Sequence, residues 1–175
     1  MNRFPLLIFF VGTCIMIYVM SVTGAPLKTD ATPSKILDLE FAYNAGKIDT
    51  VLNAWSPDKG TDRIAAAVYN TRLDFIFIFF YAGFLFLAAR MIGRSFGGKF
   101  GNAGILVSRF ALLAGLLDVL ENIGMFISLN AGKGSDVTGY FTSGCSIVKW
   151  TLALVAVLYV LTGLVGLLRG RLMKR

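Results

Sequence analysis

The sequence predicts an all-α protein, a four-helix transmembrane bundle with short amphipathic helices between spans one and two. Three observations predict it. The 175 residues are 56% hydrophobic and 15% charged, which is more apolar surface than one soluble core of this length can hide. The apolar residues collect into four runs, at about 5–22, 73–92, 103–129 and 146–168, each long enough to cross a bilayer. Arg3, Arg90, Arg94, Lys99, Arg109, Arg169, Arg171, Lys174 and Arg175 lie at or near alternate ends of those runs with no acid beside them. That is a positive-inside pattern with both termini cytoplasmic. The net charge of +7 therefore reads as membrane flanks facing anionic headgroups. The expected partner is the lipid bilayer, and no nucleic acid is expected. Residues 1–175 form a single membrane domain with an extracytoplasmic cap at 24–70.

Pro5 to Val22 is the first span. A signal peptide is the competing reading, but Thr23-Gly24-Ala25 precedes Pro26, a poor cleavage context, so an uncleaved anchor is expected. In the cap, Thr32-Pro33 has the form of a helix start, Thr as cap and Pro at the first helical position. Ile36, Leu37, Glu40 and Phe41 follow, and Gly46 is a natural stop. Ile48, Val51, Leu52 and Trp55 then recur at i, i+3, i+4, i+7, one apolar face of a second short helix. Asp49 suits its first turn and Pro57 its end. Trp55 is expected at headgroup level. The pair reads as a small cap packed on the bundle, with a lid over a cavity as the sharper alternative.

Thr61 and Asp62 open a long helix that becomes the second span, Leu73 to Ile92. The Phe run from Phe75 to Phe86 is read as lipid or core packing. The following Gly93-Arg94-Ser95-Phe96-Gly97-Gly98-Lys99-Phe100 superficially fits a phosphate loop, but Phe100 stands where Ser or Thr would hold magnesium and no strand precedes it. A flexible, basic-anchored turn is expected instead. The third span is Ala103 to Leu129. A Gly/Ser loop, Asn130 to Gly144, leads to the fourth, Ser146 to Leu168, where Gly163, Gly166 and Gly170 mark a face for close helix approach. Tyr159 is read as a packed aromatic, Cys14 as a small buried apolar residue.

The chemistry is restricted by what is missing. The chain has no histidine and two cysteines, Cys14 and Cys145, outside any CxxC pair. The usual haem and zinc ligand and any Ser-His or Cys-His pair are therefore absent, and a thiol–disulfide enzyme is disfavoured. No catalytic residue, cofactor or metal is assigned, and the reading leans away from an enzyme.

One stretch of the third span is anomalous. Asp118, Glu121 and Asn122 lie at i, i+3 and i+4 on one helix face, and charged groups at membrane depth normally face other helices or a water-filled cavity. Glu121 and Asn122 lie roughly 10–12 Å in from the outer end, with Asp118 a turn deeper. Asp118 is near the depth of Tyr81, and Asp74 and Lys149 lie near the outer ends of their own spans. Ala111, Ala114 and Gly115 continue the face as small contact residues. The expected cluster is Asp74, Asp118, Glu121, Asn122 and Lys149, with Tyr81 and Arg72 at its edge.

Leu39-Glu40-Phe41-Ala42, Trp55, Leu73-Asp74-Phe75 with Tyr81-Ala82, Asp118-x-x-Glu121-Asn122 and Lys149-Trp150 together resemble an uncharacterised group of small bacterial four-span membrane proteins. The resemblance covers most of the chain and implies no established activity. It implies a bacterial inner-membrane location and adds Glu40 to the candidate set, folded over the site from the outer helix. The functional expectation is an integral membrane protein whose carboxylate/lysine cluster binds or passes a small ligand, lipid headgroup or cation. The alternative is an accessory or structural subunit whose partners are other membrane protein subunits.

Overall fold

The computed structural model describes residues 4–56 and 62–172. Arg3, Pro57, Thr61, Lys174 and Arg175, used above, lie outside the described residues. The elements are α1 (Phe4–Thr23), a 3-10 turn (Ala25–Leu27), α2 (Ile36–Glu40), α3 (Ala45–Ala54), α4 (Arg63–Ser95), α5 (Gly98–Ala131) and α6 (Asp136–Leu172), with no strand among the described residues. Four of them, α1, α4, α5 and α6, are long and apolar enough to cross a membrane, as expected of an integral membrane protein. They run up, down, up and down, and the remainder forms a cap at one end.

The turns follow from local chemistry. Asp62 caps α4 by accepting the Ala65 N–H at 2.8 Å. Between α4 and α5 only Phe96 and Gly97 intervene, and Gly98 takes φ +64°, a conformation that costs glycine little. The phosphate-loop look-alike is therefore a tight helical hairpin. Gly132 closes α5 in the left-handed region, its N–H bonded to the Ser128 carbonyl.

The expected loop from Asn130 to Gly144 is corrected here: α6 begins at Asp136 and only 132–135 remain as connection. Gly134 and Gly139 there serve packing against the cap. A Cβ on Gly139 would stand 2.7 Å from the Tyr43 carbonyl carbon and 2.8 Å from the Asn44 nitrogen, so glycine lets α6 run against the cap backbone.

The cap also differs from expectation in three places. Its first helix is a single turn from Ile36 to Glu40, and neither starts at Thr32-Pro33 nor runs to Gly46. The Thr32 hydroxyl donates to the Leu27 carbonyl at 2.8 Å and accepts from Trp55 Nε1 at 3.1 Å, a tertiary bond in place of the local cap. Asp49 lies beyond the first turn of α3, which Asn44 caps through the Lys47 N–H. Trp55 is fully buried, not at a headgroup surface, and its Nε1 also donates to the Leu27 carbonyl at 3.0 Å. Around it pack Leu27, Leu39, Ile48, Val51 and Leu52, with Met125 and Leu129 from α5. Two reciprocal contacts latch this cap to the α5–α6 connection: Asp49 accepts the Gly134 N–H at 2.5 Å, and Asp136 accepts the Ala45 N–H at 2.8 Å.

In the bundle, α4 packs on α1, α5 and α6, and α5 packs on α6. α1 rests on α4 through an aromatic seam of Phe9 with Phe79 and Phe80, and Phe10 with Phe84. Asn70 pins its cap end by donating to Thr23 Oγ1 at 2.7 Å and to the Met20 carbonyl at 3.2 Å. Cys14 is exposed on α1, correcting its expected burial; a small apolar side chain sits as well against lipid as against protein. The half away from the cap is filled by Leu85, Ala89, Ile92, Val107, Ala111, Ala156 and Tyr159. Tyr159 is the packed aromatic expected, stacked on Phe100 and donating to its carbonyl at 2.9 Å. Gly163 meets Ile92 and Gly166 meets Phe96, while Gly170 faces open space.

Trp55→Ala should cost about 3–5 kcal/mol, a cavity plus two lost acceptor contacts, read as a lowered melting temperature of the purified protein. Trp55→Phe should cost clearly less. Equal melting of Trp55→Ala and the parent chain would contradict a cap organised on this residue.

Candidate functional site

Between the two apolar clusters lies a polar layer, assembled because small residues let α4 and α5 come together. A Cβ on Gly115 would stand 2.9 Å from the Ala82 Cβ, and Ala111 and Ala114 are fully buried on the same face. That approach brings the Tyr81 hydroxyl to donate to Asp118 Oδ2 at 2.7 Å, and Asn122 Nδ2 to Asp74 Oδ2 at 2.7 Å. From the other side α6 delivers Lys149. Its ammonium lies 2.6 Å from Asp118 Oδ1, 2.8 Å from Glu121 Oε1 and 3.3 Å from Glu40 Oε2.

Glu40 arrives at the end of α2 and is held by both its backbone and its side chain. Ser143 and Ser146 donate to its carbonyl at 3.1 and 3.2 Å, and Trp150 Nε1 donates to its carboxylate at 3.3 Å. The structure thus brings together Glu40, Asp74, Tyr81, Asp118, Glu121, Asn122 and Lys149. Arg72 is exposed on the surface of α4 and adds nothing to the layer.

The layer is buried and rich in carboxylates. Glu121 and Asn122 are inaccessible, and Glu40, Asp118 and Lys149 nearly so. Desolvating a charge costs several kcal/mol per ion, offset only by close pairing and full hydrogen bonding. Lys149 comes near that condition, donating to Asp118 and Glu121 and pairing with Glu40 at 3.3 Å. The carboxylates do not, since three of them pair with the one ammonium and Asp74 is held by Asn122. Glu121 Oε2 and Asn122 Oδ1 are buried acceptors without a donor. Among the described residues no group of three His, Cys, Asp or Glu side chains is placed to hold a metal ion. The ammonium itself stands between the carboxylates that would otherwise converge.

A cavity of about 360 Å³ reaches this layer. Glu40, Asp74, Asp118, Tyr81, Lys149 and Trp150 form its polar end, Ile36 and Leu37 of α2 cover it, and Thr13, Phe84, Leu85, Ala153 and Val157 line its apolar end. Glu121 and Asn122 are not in its wall; Glu121 pairs with Lys149 from behind. α1 and α6 flank the cavity yet have no substantial contact with each other, so it opens sideways between them.

Sequence reasoning missed the roles of Ser143, Ser146 and Trp150, and the walls supplied by Thr13 and Met20 of α1. The signal for α6 is present: Ser146, Lys149, Ala153 and Val157 repeat at helical spacing, and Ser143 extends the run one turn back into the stretch 130–144 expected to be a loop. Nothing in α1 announced its part, since packing residues and cavity-lining residues are there the same apolar types.

No family model, curated protein or solved structure matches the chain, so the geometry carries the functional reading.

Lys149→Met should destabilise the protein by about 3–5 kcal/mol, because it leaves carboxylates buried without a counter-charge. Adding Glu121→Gln should recover part of that loss in a double-mutant cycle on melting temperature. Strict additivity of the two changes would show that the pair does not interact.

Proposed function

We propose that this chain is a multi-pass protein of the bacterial inner membrane that binds a small amphiphilic molecule in the lateral cavity. The head of the ligand sits against the Lys149 layer and its tail points toward the bundle centre. The single observation behind this reading is a largely apolar cavity that meets the Lys149 layer at one end. Its volume falls within the usual range of small-molecule sites. Along α4 it extends from Asp74 to Leu85, roughly 16 Å at the helical rise. The apolar cluster from Leu85 to Ile92, closed by Tyr159 and Val160, offers no polar route onward, which favours holding a ligand over passing one.

The accessory-subunit alternative draws on a different observation. Lys149 ties α2, α5 and α6 together and Tyr81 adds α4, as a purely structural lock would. The orientation proposed places both termini in the cytoplasm and the cap outside, in line with the basic flanks.

Ala153→Phe should fill the apolar half of the cavity. In nanodiscs, at least one of a panel of decyl amphiphiles with cationic, neutral and anionic heads should show saturable binding to the parent chain. That amphiphile should bind the variant at least about tenfold more weakly, with melting temperature little changed. Unaltered binding by the variant would place the ligand elsewhere. No saturable binding, with a stoichiometric protein partner on native purification, would support the subunit reading instead.

For orientation, a membrane-impermeant maleimide on intact spheroplasts should label Lys47→Cys in the cap and leave Lys99→Cys protected. These measurements use a background in which Cys14 and Cys145 are replaced by Ser. The opposite pattern would reverse the topology.

A further inference from the structure

We infer that the cavity selects a cationic, hydrogen-bond-donating head, an ammonium or guanidinium, and rejects an anionic one. The inference rests on the amphiphile reading above and names the chemistry of the head. It follows from an inventory of donors and acceptors at the cavity wall.

Among the described residues lining it, four carry a side-chain donor: Thr13, Tyr81, Lys149 and Trp150. All four are committed. Thr13 donates to the Phe9 carbonyl at 2.7 Å, Tyr81 to Asp118 at 2.7 Å and Trp150 to Glu40 at 3.3 Å. Lys149 donates to Asp118 at 2.6 Å and to Glu121 at 2.8 Å, and its ammonium pairs with Glu40 Oε2 at 3.3 Å. A phosphate or carboxylate head would therefore meet acidic oxygens and find no free donor, despite the lysine at the site.

Acceptors, by contrast, are in surplus. An ionised carboxylate offers about four lone-pair sites. Asp74 receives one side-chain hydrogen bond, on Oδ2, and Glu40 Oε1 receives none from a described residue. Behind the wall, Glu121 Oε2 is also without a donor. Three carboxylates on the wall and Glu121 behind it stand against one ammonium, so acceptors outnumber cationic partners at this end. Tyr81, Phe77 and Trp150 also line the cavity, and the Trp150 ring already holds one cation, the Lys149 ammonium at 5.6 Å. A bare metal ion is a poorer fit, since no three ligating side chains converge. An organic cation takes its several bonds from dispersed acceptors.

The test uses the full chain in nanodiscs of zwitterionic lipid, with protein-free discs to subtract partitioning. Decylammonium, decanol and decanoate are titrated, read by tryptophan emission and by melting temperature. Decylammonium should bind at least about tenfold tighter than decanol, and decanoate should bind most weakly. Glu40→Gln with Asp74→Asn should bring decylammonium to within about threefold of decanol; Asp74→Asn alone serves if the double variant does not fold.

Equal binding of all three probes, or retention of the cation preference by the neutralised variants, would overturn the inference and leave the amphiphile reading intact. Tightest binding by decanoate would overturn it as well. Saturable binding of none would remove both. Ethylammonium, which lacks the tail, should fail to displace decylammonium; displacement at matched concentration would reassign the site to a water-soluble amine and overturn the amphiphile reading.

Discussion

The architecture depends on one buried ammonium held by carboxylates from two other helices. Lys149 of α6 pairs with Asp118 and Glu121 of α5 and with Glu40 of α2. Dispersion contacts between apolar helices are nearly as good after a small slide or rotation, so they set register weakly. A desolvated ammonium with three directed partners has no such tolerance, because shifting any helix by a residue strands a charge. The Tyr81 bond to Asp118 extends the constraint to α4, and the Asn122 bond to Asp74 repeats it one turn nearer the cap.

The two apolar clusters give that layer its surroundings. On one side the cap closes around Trp55, and on the other Ala89, Ile92 and Ala111 fill the bundle with small or fitted side chains. A polar layer between two dry ones keeps a low local dielectric, which strengthens each bond made and raises the cost of each bond missing. α1 stands apart from this scheme. It rests on α4 through phenylalanine rings and an asparagine near its end, and the gap it leaves toward α6 is what turns the layer into the end of a cavity.

The sequence disclosed this layer well because charges in an apolar run are expensive and therefore few. Spacing put Asp118, Glu121 and Asn122 on one face, and counting turns matched them in depth to Tyr81, Asp74 and Lys149. Where several outcomes have similar energies, the sequence did not discriminate. The apolar face of α3 suits a headgroup surface as well as a protein core, so the burial of Trp55 was not legible. Gly139 and Gly144 read as loop because glycine weakens helices, yet at Gly139 its missing Cβ makes room for the cap backbone. Thr32 carries a strong local capping preference that a longer-range bond to Trp55 overrides. The cavity had no signature at all, since an unfilled space reflects how helices meet and not which residues they contain.

The sideways opening between α1 and α6 has a consequence for how the site is supplied. An amphiphile of the kind proposed would enter there from the bilayer, so the concentration that matters would be its concentration in lipid, not in water. Each methylene lowers the free energy of membrane partition by about 0.8 kcal/mol, which enriches longer chains at the entrance before any contact with the protein. On the proposed reading, tail length would act mainly on delivery and head chemistry mainly on retention. The protein would then need only modest intrinsic affinity to stay occupied, with the membrane around it as the reservoir.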